Sequence, residues 1–119
     1  MNLAVLLIAL AFFGMGLAAL IKPRKIGDYF EVRFDSVDSR NEVRAVYGGF
    51  GLAMAAVLLL ALRAPELRAG LVTAVSLALA GMALGRVIGA LVERPGRWPV
   101  FFGGIETLGA ALLWWARGG

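Results

Sequence analysis

A chain of 119 residues that is 61% hydrophobic, with a mean hydropathy of +0.83, is far more apolar than a soluble domain of its size. Its net charge of +4 would suit nucleic acid, but the basic residues gather at the ends of apolar stretches instead of along a polar face, so no nucleic-acid partner is expected. Cysteine and histidine are both absent, which excludes disulfides, thiol redox chemistry, a histidine general base and the usual zinc or haem ligation, so no metal or cofactor is expected.

Crossing roughly 30 Å of hydrocarbon takes about 20 apolar residues at 1.5 Å each, and four stretches meet that length: 2–21, 42–62, 69–92 and 99–116. They lack the alternation of apolar and polar residues that a closed β-barrel needs. The expected fold is all-α: an antiparallel four-helix transmembrane bundle with a structured first cytoplasmic loop, forming a single membrane domain over 1–119. The first stretch has no basic leader and is followed by Lys22, Pro23, Arg24 and Lys25, so it reads as a retained span instead of a cleaved signal.

Between the first two spans lie Lys22, Arg24, Lys25, Arg33 and Arg40, and between the last two lie Arg94 and Arg97. Only Arg63 and Arg68 flank the middle turn. The positive-inside rule then puts the first and third loops in the cytoplasm and both termini outside, as in a multi-pass protein of the inner (plasma) membrane.

The first loop, about 20 residues from Lys22 to Asn41, is long for a simple connection. Phe30, Val32 and Phe34 alternate with charged residues as in an amphipathic strand, while Ile26, Phe30, Arg33 and Val37 also fit a surface helix. In either form, Tyr29, Phe30 and Phe34 would rest on headgroups or cap the cytoplasmic mouth of the bundle. Ser39 and Glu42 match a capping box that would open the second span. From there Asn41, Arg44, Tyr47, Gly48, Gly51 and Ala55 recur at helical spacing and predict an inward face.

In the third span Ala74, Ala78, Gly81, Gly85 and Gly89 form a small-residue ridge, expected to pack inside the bundle. Arg86 lies beside it, six residues before Val92, and Glu106 lies seven residues into the antiparallel fourth span. Both are therefore roughly 10 Å from the same membrane face. Burying either charge alone costs several kcal/mol, whereas a bidentate pair offsets much of that, so Arg86 and Glu106 are predicted to meet, with room left by Gly103 and Ala110. Arg44 and Tyr47 would converge on them, with Asn41, Glu42, Gly48 and Gly49 in support, leaving one positive charge in excess. Trp98, Trp114 and Trp115 are expected to anchor the two membrane interfaces.

The run Glu-Val-Arg-Ala-Val-Tyr-Gly-Gly at positions 42 to 49, with the arginine late in span three and the glutamate in span four, resembles a family of small four-span bacterial membrane proteins of unknown function. A more distant likeness to DoxX-like four-helix membrane proteins is architectural. The resemblance implies Glu42, Arg44, Tyr47, Gly48, Gly49, Arg86 and Glu106 as shared positions, and it brings no activity with it.

Three function classes follow: a binding protein for a lipid, quinone or other amphipathic molecule, a small oligomeric transporter or channel, and an accessory subunit of a larger membrane complex. The partners these imply are membrane lipids, an amphipathic ligand, further copies of the chain or that larger complex. Catalysis is the less favoured class, because no nucleophile, metal or cofactor motif accompanies Glu106 and Tyr47, and no catalytic residue is assigned.

Overall fold

The structure, a computed structural model, describes residues 2–118. Six α-helices follow in order: α1 (Asn2–Ile21), α2 (Pro23–Tyr29), α3 (Val37–Val43), α4 (Phe50–Arg63), α5 (Pro65–Val92) and α6 (Arg97–Ala116). A π-helical segment, Arg44–Gly49, joins α3 to α4 without a break, so that Val37–Arg63 runs as one 27-residue helix. No strand occurs among the described residues. Four helices are long and apolar enough to cross a membrane: α1, the composite Val37–Arg63, α5 and α6.

The helix ends differ from those expected. The composite helix begins five residues early because Ser36, in extended conformation, caps it: its hydroxyl accepts from Ser39 N–H at 3.0 Å while Ser39 Oγ accepts from Ser36 N–H at 3.2 Å. Ser39 therefore closes the capping box from inside instead of opening one with Glu42. Helix α5 starts at Pro65, since proline at the first helical position forfeits only an N–H that would be unpaired anyway, and Glu66 suits the positive end of the dipole. The expected turn between spans two and three is thus reduced to the single non-helical residue Ala64.

Helix directions follow from the contacts. On α1, Gly16 meets Gly48 and Leu52 while the earlier Phe12 meets Gly51, so α1 and the composite helix run antiparallel. On α5, Ser76 Oγ donates to the Ala110 carbonyl at 2.7 Å, Leu79 packs on Gly109 and Arg86 reaches Gly103 and Glu106, again antiparallel. Ile8 against Gly109 closes the ring between α1 and α6, and Arg68 Nη1 donates to Asn2 Oδ1 at 2.6 Å at the opposite end. The core is built from Val5, Leu58, Val72, Val75 and Leu113.

Close packing falls where the sequence was read differently. The ridge Ala74, Ala78, Gly81, Gly85 and Gly89 faces outward, and a side chain added at Gly81, Gly85 or Gly89 would meet nothing within 4 Å. The inward stripe of α5 is Val72, Val75, Ser76, Leu79, Ala83 and Arg86, centred roughly 130° around the helix from the ridge. Burial of the larger apolar groups decides which face turns in. The tight approach belongs instead to α1 and the composite helix: a Cβ at Gly16 would lie 2.8 Å from Gly48 O and 2.9 Å from Leu52 N. Of the face predicted to point inward there, Gly48, Gly51 and Ala55 are buried and Tyr47 half-buried, while Asn41 and Arg44 are exposed.

The first loop resolves as helix α2, a turn at Phe30 and Glu31, and an extended return over 32–35 that docks on α2. Val32 N–H donates to Gly27 O at 2.9 Å, and Gly27 lies so tightly under Val32 and Phe34 that no Cβ would fit. Glu31 takes a φ of 57° to reverse the chain, a left-handed conformation that costs a non-glycine residue about 1–2 kcal/mol.

Because backbone atoms crowd Gly16 and nothing crowds Gly81, Gly16→Ala is expected to destabilise the protein by about 1–3 kcal/mol, and Gly81→Ala to change stability by less than about 0.5 kcal/mol. Thermal unfolding in mild detergent compares them, and equal effects would contradict this packing.

Candidate functional site

The chemistry of the molecule concentrates where α5 and α6 approach the first loop. Arg86 Nε donates to Glu106 Oε1 at 2.6 Å and Arg86 Nη2 to Glu106 Oε2 at 3.0 Å, a fork-to-fork pairing. Glu106 is buried, with its side chain only 9% exposed, whereas that of Arg86 is 28% exposed. The guanidinium therefore shields the carboxylate from outside. Gly103 makes this possible, for a Cβ there would lie 3.2 Å from Arg86 Cδ.

On its other side the guanidinium sits 5.6 Å from the centroid of the Phe30 ring. A cation over an aromatic face is attracted by the ring quadrupole, and the ring also restricts access of water to the ion pair. Phe30 is held by Phe102 at 5.4 Å, which in turn meets Tyr29 edge-on at 5.7 Å. Trp98 belongs to this aromatic cluster too, edge-on to Tyr29 at 5.0 Å, so it fastens the first loop to α6. Trp114 and Trp115, at the other end of α6, are exposed.

Arg44 does not join Arg86. Its Nε donates to Leu20 O at 3.1 Å, supplying one of the free carbonyls at the end of α1 with a charged donor. This nearby backbone acceptor takes the guanidinium, and the expected excess positive charge at the cluster is lost. Tyr47 is half-buried, and both side-chain hydrogen bonds of Arg86 among the described residues go to Glu106. Of the supporting set, Asn41 and Glu42 are exposed in α3, Gly48 packs on Leu20, and Gly49 is exposed. The run from Arg44 to Gly49 is the π-helical segment itself, with Phe50 N–H bonded back to Ala45 O. Such widened turns recur at functional sites, but here its observed contacts are with α1.

Beside the ion pair, α5 and α6 diverge to leave an open groove of about 1150 Å³. Arg86 is its innermost charge. Small residues line it, among them Gly89, Ala90, Gly103 and Gly104, and its mouth carries Glu31, Glu93 and Arg94. A shallower, mostly apolar hollow continues the same crease past Ala111 to Ser76 and Trp114. Glu106 and Tyr47 do not line the groove: Glu106 acts from behind, by holding Arg86. Glu31 entered the sequence reading only as a charged member of the loop's alternation, and Ser76 had no place in it, since a lone serine in an apolar span carries no periodic signal.

A family model described as a domain of unknown function, DUF4345, matches residues 1–117. The chain belongs to this family. No curated protein and no solved structure matches it.

Removing one partner of a buried ion pair strands the other, whereas replacing both by apolar groups removes the penalty. Glu106→Ala is therefore expected to destabilise the protein by about 2–3 kcal/mol, less than a fully enclosed pair because Arg86 opens onto the groove. Arg86→Met combined with Glu106→Leu should recover most of that loss. A double-mutant cycle of thermal unfolding in detergent measures the coupling, and additive losses would rule out the pairing as a source of stability.

Proposed function

We propose that this DUF4345 protein is a four-span protein of the inner (plasma) membrane that binds a lipid, quinone or other amphipathic small molecule in the groove between α5 and α6. The bilayer placement is supported by four apolar helices of 20 to 28 residues. The basic residues of the loop end, Lys22, Arg24, Lys25, Arg94 and Arg97, support a cytoplasmic side for that end, with both termini outside, by the positive-inside rule.

The observation that carries the reading is a groove large enough for a small-molecule ligand, mostly apolar beyond its mouth and provided with the oriented guanidinium of Arg86. Glu106 fixes the Arg86 fork by taking Nε and Nη2, and among the described residues Nη1 has no protein partner. A polar atom of a ligand could accept from it. With Arg44 bound to Leu20 O, the Arg86 and Glu106 pair is formally neutral, which favours a neutral or zwitterionic polar end over a free anion.

A second reading, association with further copies of the chain or with a larger membrane complex, is favoured by the outward ridge of α5. Its apolar window is 17% buried, against 28% for each of the other three long helices. Small residues on a lipid-facing surface allow another helix backbone to approach closely. A transporter or channel would call for such assembly, since one 119-residue bundle is small for a pore.

Gly104 lines the groove, and a Cβ there would meet nothing within 4 Å, so the side chain of Gly104→Leu is expected to extend into the groove with little strain on the helix backbone. Native mass spectrometry of protein released from mild detergent is expected to find a retained amphipathic molecule on the wild type, lost or reduced about tenfold in Gly104→Leu and weakened in Arg86→Ala. Wild-type protein that is empty under conditions where it stays folded would overturn the binding reading and direct attention to the α5 ridge.

A further inference from the structure

The two ends of the groove have different chemistry. From its mouth at Glu93 to Leu77 in the continuing hollow, the crease follows α5 for about 24 Å at 1.5 Å per residue, most of the thickness of a hydrocarbon core. Beyond Arg86 it is lined by Ala83, Ala80, Leu77, Leu108 and Ala111, by Thr107 and Ser76, whose hydroxyls are already bonded to Gly103 O at 2.8 Å and Ala110 O at 2.7 Å, and by Trp114 at the far end. That long, mostly apolar shape suits an extended acyl chain.

The mouth is polar and carries both signs. Glu31 and Glu93 bring two carboxylates and Arg94 one guanidinium, all three exposed. Among the described residues none of the three is in an ion pair, although Arg33 and Asp35 in the same loop pair at 3.3 Å. The Arg86 charge is already neutralised by Glu106. Despite the net charge of +4 on the whole chain, the mouth has one more acidic than basic group, so it does not favour an anionic headgroup.

We propose that the groove takes a zwitterionic phospholipid with a primary ammonium headgroup, its phosphate on Arg94, its ammonium shared by Glu31 and Glu93, and an acyl chain along the crease. This rests on the binding reading above and adds the ligand class. A primary ammonium has three N–H donors to divide between two carboxylates, whereas a quaternary ammonium has none and is recognised by open aromatic faces. The aromatic ring on the groove, Phe30, is already covered by Arg86. A guanidinium matches phosphate with paired donors. The turn that brings Glu31 to the mouth is fixed by the Gly27 contacts and the left-handed backbone at Glu31, so the folded loop holds the backbone of Glu31 there.

The test is lipid retention by the full chain, measured by native mass spectrometry after exchange into nanodiscs containing equal parts of ethanolamine, choline and glycerol phospholipids with identical acyl chains. Wild type is expected to retain the ethanolamine lipid about three- to tenfold over each of the other two. The double variant Glu31→Gln, Glu93→Gln should lose that preference and move toward the glycerol lipid, with its unfolding temperature unchanged because both side chains are exposed. Arg94→Gln should weaken retention of all three. Preference for the glycerol lipid in wild type would overturn the headgroup assignment while leaving groove binding intact. Equal retention of choline and ethanolamine lipids would overturn the ammonium contact. Retention of no lipid, or retention unaffected by Gly104→Leu, would instead remove the binding reading on which the assignment rests.

Discussion

A guanidinium six residues inside the end of an apolar helix has few places to go. It must reach water, find a counter-charge, or be surrounded by groups that accept its protons, and each choice constrains the neighbouring elements. In this molecule Arg86 finds Glu106, and the geometry of that encounter organises the loop end. Helix α6 must present glycine at 103 for the side chain to pass. The first loop must bring Phe30 over the exposed face of the fork. Holding Phe30 there in turn recruits Phe102, Tyr29 and Trp98. The aromatic cluster is thus the outer layer of the same arrangement as the ion pair.

The bundle joins its helices in two ways. Helix α1 and the composite helix approach through Gly16, Gly48 and Gly51, with backbone against backbone. Between α5 and α6, polar contacts fix register at two heights, Ser76 with the Ala110 carbonyl and Arg86 with Glu106. Among lipid tails, apolar burial gives helices little reason to associate, and close packing or hydrogen bonding must supply it. Where glycine packing does so the interface is closed. Where two polar contacts do so, with Leu79 packed on Gly109 between them, a groove runs along the outer side of the helix pair.

Much of this was legible from residue order alone, for physical reasons that differ by element. Matched depth brought Arg86 and Glu106 together by arithmetic, because helical rise is constant and the turn between the helices is short. The inward positions Gly48, Gly51 and Ala55 followed from helical spacing. The orientation of α5 did not, because small residues and larger apolar residues both recur on it at helical spacing, and only the assembled bundle decides which stripe is covered. Arg44 was misplaced because its partner is a backbone carbonyl, Leu20 O, and a carbonyl left free at a helix end has no signature in the side-chain sequence. The capping box was displaced by three residues because Ser36 and Ser39 cap each other through hydroxyls, outside the serine and glutamate pattern.

The diversion of Arg44 alters the chemistry of the site more than its geometry. Counted along the sequence, the charges near the end of the bundle gave a cationic cluster seeking an anion. Counted in space, one arginine belongs to the end of α1, one is cancelled by Glu106, and the groove mouth carries two carboxylates against Arg94. The basic excess of the chain is therefore a property of its loops, where it bears on orientation in a membrane, and not of the groove. Net charge and site charge answer separate physical questions. A ligand that follows the local field of the groove is selected by three or four side chains, however basic the protein as a whole.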